Sequence, residues 1–372
     1  MTVGPRALYI ANGGLVRKVP GDIRGVAAPM RKCRIFNVLC CLSTIRGHDA
    51  MIKRVVSFLV LGVLLAGAAV AGLELALRFI GLGDPVVYYT NLTYRFALVP
   101  DQKVVRPGGK VITINDRGLR ATTPWAAPAD LRILFIGDSV TWGTSGVGDA
   151  DTFSERTCAL VGRALGLRAT CGNAGINAYG TDNMAQRILH GGIDDEDWIV
   201  VVVLSGDAIR SLQNINAGHY HMVKPTGPLR ATWEALTYGS ARLAFMLRGD
   251  NDREPPDHAL VVARDSVRKL MDVLRDKQRQ GRKVLVALTV GRPEIEGPEF
   301  AFTPVVRDEI ERSGLPFLDL APVIKAHFRP DFYLDTAHLT PYGNSVFADA
   351  IAARIVAAER VAHAPGAGTI RK

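Results

Sequence analysis

The sequence predicts an α/β protein, a central parallel sheet covered by helices on both faces, preceded by one N-terminal membrane-spanning helix. Three observations point there. Short apolar runs recur along the chain, and one of them, Trp198–Leu204, is unbroken and rich in valine, as suits a strand buried on both faces. Segments with helical spacing lie between these runs, and alternating strands and helices specify a parallel sheet. Near the N-terminus the uncharged run Val55–Leu73, roughly 19 residues, is about as long as a helix that crosses a bilayer.

The bulk numbers agree with that class. The chain has 372 residues, 48% hydrophobic and 22% charged, so it can bury a sizeable core. Mean hydropathy is slightly positive, +0.13, which points to a strongly apolar segment. The formal net charge is +9, but the basic residues are scattered, with no stripe of interleaved aromatics and no nucleic-acid module, so a nucleic-acid partner is not expected. Of the five cysteines, Cys33, Cys40 and Cys41 precede the apolar run, while Cys158 and Cys171 follow it. None has metal-ligand spacing. Outside the cytoplasm Cys158 and Cys171 could pair; two unpaired buried thiols are the equal alternative.

In chain order, residues 1–50 show no clear periodicity and hold Arg6, Arg17, Lys18, Arg24, Arg31, Lys32 and Arg34. They are expected to be an unstructured extension. Met51-Ile52-Lys53-Arg54 before the apolar run looks like a protein start, which would put the extension upstream of it; a cytoplasmic tail is the alternative. Residues 51–82 are expected to form the anchor, since the apolar character continues through Leu75, Leu77, Phe79 and Ile80. Cleavage as a signal peptide at Ala69-Val70-Ala71 is the competing reading. Lys53 and Arg54 on the N-terminal side send the rest of the chain across the membrane.

Residues 83–130, rich in turn formers with β-like pieces such as Val111–Ile114, read as a membrane-proximal arm. The main domain is expected over 131–362. Its strands are Ile133–Ile136, Trp198–Leu204, Val284–Val290 and Phe317–Leu320, with a further one before Asn173. Its helices are Thr152–Leu165, His258–Gln280 and Pro341–Ala358. Residues 212–256 break this rhythm and read as an insertion beside the site.

Two motifs carry chemistry. Gly137-Asp138-Ser139 directly follows the first strand, and ligands of open α/β sheets bind beyond the carboxyl ends of strands. A capping serine at a plain strand-to-helix turn would look the same. Asp335-Thr336-Ala337-His338 lies near the end of the domain. Two intervening residues let a carboxylate hold one imidazole nitrogen while the other faces a hydroxyl, and a serine needs such a base to become nucleophilic. Capping by Asp335 with a surface His338 is the plain alternative.

Taken together, Gly137-Asp138-Ser139 and Asp335-x-x-His338 resemble the SGNH (GDSL-like) hydrolases, a family with Ser, Gly, Asn and His in four separate blocks. Asn173-Ala174-Gly175 is similar to the Gly block, and Asn115–Arg120 resembles the arm upstream of the domain in membrane-anchored members. The resemblance implies a three-layer flavodoxin-like fold and a serine esterase needing no cofactor and no metal. It implies Ser139 as nucleophile with His338 and Asp335 as partners, and the N–H groups of Ser139 and Gly175 as oxyanion donors.

One block departs from the pattern. Asp207, in Leu204-Ser205-Gly206-Asp207, stands where the family carries the oxyanion-hole Asn. An ionised Asp only accepts hydrogen bonds and would repel the developing charge. Protonation of Asp207, or a substitute donor such as Asn177 or Asn214, would restore the hole.

The location outside the membrane suggests acyl or acetyl esters on envelope glycans or lipids as substrates. An O-acyltransferase and a degenerate glycan- or partner-binding domain are the alternatives. His219 and His221 have a metal-like i, i+2 spacing without a third ligand. Trp142 and Tyr179 either line the pocket or pack in the core, and Arg106-Pro107-Gly108-Gly109 is a turn.

Overall fold

The structure, a computed structural model, describes residues 36–212, 220–225, 229–248 and 258–362. The chain divides into two compact units, residues 1–65 and 66–372. The described part of the first is helical, within α1 (Phe36–Phe79), whose last residues belong to the second unit. Within α1, Asp49–Phe79 is long and apolar enough to cross a membrane, with a mean hydropathy of 2.5 in its most apolar window. The expectation of an unstructured stretch through residue 50 is corrected here. The helix already runs from Phe36, because no proline interrupts 36–50 and the only glycine there is Gly47. Residues 1–35 lie outside the described residues.

The second unit opens with two antiparallel hairpins, β1 (Tyr88–Asn91) with β2 (Arg95–Leu98), and β3 (Gln102–Arg106) with β4 (Lys110–Ile114). Strict alternation of buried and exposed residues along β3 marks it as half-buried. The inward residues Val86, Tyr88, Leu98, Val104, Ile112 and Ile114 join the main core.

Five parallel strands form the central sheet: β5 (Leu131–Gly137), β6 (Ala169–Asn173), β7 (Trp198–Leu204), β8 (Lys283–Thr289) and β9 (Phe317–Asp319). Their order is β6-β5-β7-β8-β9, which is the 2-1-3-4-5 order of flavodoxin-like doubly wound sheets. Trp198–Leu204 is a strand over the full apolar run, and its four valines are 0% exposed.

Both faces of the sheet are covered. Leu134, Ile136, Ile199, Val201, Val286 and Leu288 pack with α4 (Thr181–His190), α6 (Ala259–Arg279) and α8 (Phe302–Arg312). The alternate residues Ile133, Phe135, Val200, Val202, Leu285 and Ala287 pack with α3 (Phe153–Leu165), α9 (Ala321–His327) and α10 (Pro341–Ala362). Strand periodicity of two thus builds two cores on one sheet.

Of the expected insertion, 213–219, 226–228 and 249–256 lie outside the described residues, and Arg230–Arg248 forms a helix, α5. Cys158 and Cys171 are both buried and free; burial and the neighbouring Cys158 push the Cys171 thiol well above its ordinary pKa.

Candidate active site

Ser139 begins the four-residue helix α2 (Ser139–Trp142), at the carboxyl end of β5 and beside β7. Here the strand order reverses, where open α/β sheets form their crevice. Too short to persist alone, α2 is held by its surroundings. Asp138 caps it, with Oδ1 accepting from Val140 N at 2.8 Å. Gly137 is dictated by closeness, since a Cβ there would lie 2.0 Å from Thr141 Oγ1 and 2.8 Å from Val202 O.

The loop after α2 is held by Arg120. This guanidinium is buried and donates to Trp142 O at 2.7 Å, Thr144 O at 3.0 Å and Val147 O at 2.5 Å, and it pairs with Asp149 Oδ1 at 3.0 Å. Its carbon lies 4.9 Å from the centre of the Trp142 ring. Trp142 and Tyr179 are themselves core residues, 3% and 1% exposed.

Asp335 and His338 occupy a turn between α9 and α10. Asp335 Oδ1 accepts from Ala337 N at 3.0 Å and His338 N at 2.9 Å, so the carboxylate does cap the turn. Its other oxygen, Oδ2, lies 2.7 Å from His338 Nδ1. His338 Nε2 lies 2.8 Å from Ser139 Oγ, a contact between residues 199 positions apart. The fold therefore brings Ser139, His338 and Asp335 into one hydrogen-bonded line. Burial disfavours the imidazolium, but the hydrogen bond and charge of Asp335 outweigh it and raise the His338 pKa. Conversely, although burial works against ionisation, His338 and two backbone N–H groups hold the Asp335 carboxyl well below its ordinary range.

Gly175 lies beside α2, so close that a Cβ would sit 2.4 Å from Trp142 N. Its N–H donates to Asn173 Oδ1 at 2.9 Å. Asn173 is fully buried, and its Nδ2 donates to Thr141 O at 2.5 Å and Ser154 Oγ at 3.1 Å. The N–H expected to serve an oxyanion thus already has an acceptor.

Asp207 lies just after β7 and is buried. Its Oδ2 accepts from Leu204 N at 2.9 Å, and Oδ1 lies 3.4 Å from Arg210 Nε. Arg210 Nη2 in turn lies 3.8 Å from Asp138 Oδ2. Burial, then the charge of Asp138, pushes the Asp207 carboxyl well above its ordinary pKa, against the pull of Arg210 and the Leu204 N–H. Its surroundings favour the neutral acid, which can donate one O–H. Asp207 Oδ1 has no hydrogen-bond partner among the described residues.

Asn177 passes its carbonyl to the Tyr220 hydroxyl, while Asn214 and His219 lie outside the described residues. His221 pairs through its main chain with Tyr88, and burial lowers its pKa. Arg120 and Asn173 stand inside the segments Asn115–Arg120 and Asn173–Gly175 that the sequence marks, though without a role of their own there; nothing in the local pattern marks Arg210.

This chain is similar in fold to esterases and lipases. A lipase/acylhydrolase from Enterococcus faecalis shares 16% identity at a TM-score of 0.40, over 61% of this chain and 96% of that one. A lipolytic protein of the G-D-S-L family from Desulfitobacterium hafniense shares 11% at 0.37, over 60% and 99%. A catalytic mutant of an acetylxylan esterase from Geobacillus stearothermophilus shares 16% at 0.39, over 62% and 95%. No family model and no curated protein matches the chain.

Proposed function

We propose that this chain is a serine esterase of the SGNH type, acting outside the membrane on acyl or acetyl esters of envelope glycans or lipids. The observation that carries the reading is the hydrogen-bonded line Ser139 Oγ, His338 Nε2, His338 Nδ1 and Asp335 Oδ2, at 2.8 and 2.7 Å. His338 takes the Ser139 proton as Oγ attacks the ester carbonyl. Asp335 holds the imidazole tautomer and stabilises the cation that forms. As the tetrahedral intermediate collapses, His338 protonates the departing alcohol. Water then attacks the acyl carbon and gives its proton to His338, which returns it to Ser139 Oγ as the bond to the acyl group breaks and the acid leaves.

The oxyanion is held by the N–H groups of Ser139 and Gly175, the latter shared with or released by Asn173, and by the Asp207 O–H. Lys53 and Arg54 before the apolar helix favour an extracytoplasmic domain. Protease added to intact cells would digest an external domain and leave a cytoplasmic one intact.

A second reading, a non-catalytic binding domain, is favoured by the occupied Gly175 N–H and by Asp207. Reacting the detergent-solubilised full chain with a fluorophosphonate separates the two. Labelling lost in Ser139→Ala supports the esterase. An unlabelled wild type beside a labelled Asp207→Asn supports the binding domain. Product analysis with an added sugar then separates hydrolysis from acyl transfer, the remaining alternative.

A further inference from the structure

We infer that the base of the domain, around the end of α1, is a bilayer-docking surface that seats the domain on the membrane instead of leaving it on a loose tether. The inference needs α1 in the bilayer and is independent of the esterase reading.

The seat begins at Glu74. This residue of the apolar helix is buried, and its carboxylate accepts from Ala231 N at 2.9 Å and from Thr232 N at 3.3 Å, in the first turn of α5. Arg78, one turn further on, pairs with the same carboxylate at 2.8 Å. Glu234, one turn into α5, is buried too, pairs with Arg106 of β3 at 2.6 Å and accepts from Gly83 N. The end of α1, the start of α5 and the end of β3 are therefore locked into one body by buried charges. Whatever depth Glu74 takes in the membrane, the first turns of α5 share it.

Those turns expose apolar side chains. Trp233 is 57% and Leu236 is 64% exposed, and Leu229 lies open as well. Positions 229, 233 and 236 follow helical spacing on one face, opposite the buried Ala231 and Glu234. Phe79, at the end of α1, is 93% exposed and Ile80 follows it in the open. Aromatic and aliphatic side chains at the depth where a span ends suit the boundary between headgroups and acyl chains.

The same corner holds a cavity of about 410 Å³, lined by Phe79, Ile80, Arg78, Lys103, Arg106 and Arg230 among others. Glu74, Glu234 and Asp84 each match one of the three arginines. Lys103 is exposed and has no carboxylate partner among the described residues, so it is the surplus charge. The Arg106 side chain is 9% exposed, and its Nε has no acceptor among the described residues. N–H donors and an unmatched ammonium beside exposed apolar side chains fit the phosphate of a phospholipid whose chains continue into the bilayer.

Tryptophan emission tests this. The chain has four tryptophans, and Trp125, Trp142 and Trp198 are buried, which leaves Trp233 as the one a lipid can reach. The full chain is reconstituted into vesicles containing acyl-brominated phosphatidylcholine. The expected result is quenching of up to about a quarter of the emission, absent in Trp233→Phe, if the four indoles emit alike. Unchanged emission in brominated lipid, or failure of the chain to float with the vesicles, would overturn the inference. Adding phosphatidylglycerol should strengthen the quenching in wild type but not in Lys103→Glu. Equal quenching with and without phosphatidylglycerol in wild type would overturn the headgroup part.

Discussion

At Asp335 one carboxylate serves two ends. Oδ1 closes the turn on two N–H groups while Oδ2 holds the imidazole, so capping the turn leaves the carboxylate able to play the catalytic part proposed for it. The pH dependence follows. His338 must be neutral to accept the Ser139 proton, and its pKa lies above the ordinary 6.5. Activity, measured as kcat/KM, should therefore fall on the acid side with an apparent pKa above 6.5. In Asp335→Asn the main raising partner is gone and only the charge of Asp138 still opposes burial, so that limb should move to lower pH, and kcat should fall by roughly 10⁴-fold. A limb that stays in place would break the assignment of Asp335. Asp207 makes a stability prediction of definite sign. Its folded-state pKa lies above the unfolded 3.8, so the folded chain binds the proton more tightly. The stabilisation this gives is complete below the unfolded pKa and is lost as pH rises through the folded one. Asp207→Asn should raise Tm at pH 8, by roughly 2–4 °C for each kcal/mol relieved, and the gain should vanish near pH 4. A scan of Tm against pH on both chains checks this.

Among the elements, α2 shows how little a short helix decides for itself. Four residues cannot nucleate a stable helix in water. The Asp138 cap, the tight contact at Gly137 and the Arg120 clamp set its place instead. Removing the clamp with Arg120→Ala leaves Asp149 buried, with Thr113 N at 2.8 Å but no cation. The expected cost is about 3–5 kcal/mol, measured by urea denaturation, and an unchanged midpoint would count against the clamp. The regular elements were legible because their signals are local. β7 reads directly from Trp198–Leu204, and α6 from Val261, Val262, Val267, Leu270, Met271 and Leu274 at helical spacing; the last four are buried, while Val261 is exposed and Val262 half-buried. The hairpin Tyr88–Leu98 has no comparable apolar run or period. Its turn rests on Asn91 Oδ1 accepting from Thr93 N at 2.8 Å and Tyr94 N at 3.2 Å, a contact its sequence does not announce.

For the molecule as a whole, the order β6-β5-β7-β8-β9 puts the ends of β5 and β7 side by side, so the residues that follow them, Ser139 and Asp207, share one crevice. The turn between α9 and α10 then brings His338 to the same place from near the far end of the chain. The buried contacts of Glu74 and Glu234 extend the same body to the end of α1.

What the sequence determined by itself is what a few neighbouring residues encode. Apolar periods specified the strands and helices, an uncharged run specified the long apolar helix, and two short motifs named Ser139, Asp335 and His338. Tertiary structure alone decided the strand order, the clamp of Arg120, the acceptor that Asn173 gives to the Gly175 N–H, and the raised pKa of Asp207. Each of these depends on burial or on a partner that folding supplies. The Asp207 carboxyl holds its proton more tightly than a free one because water is excluded and Asp138 is near, and neither condition is written in the residues that flank it.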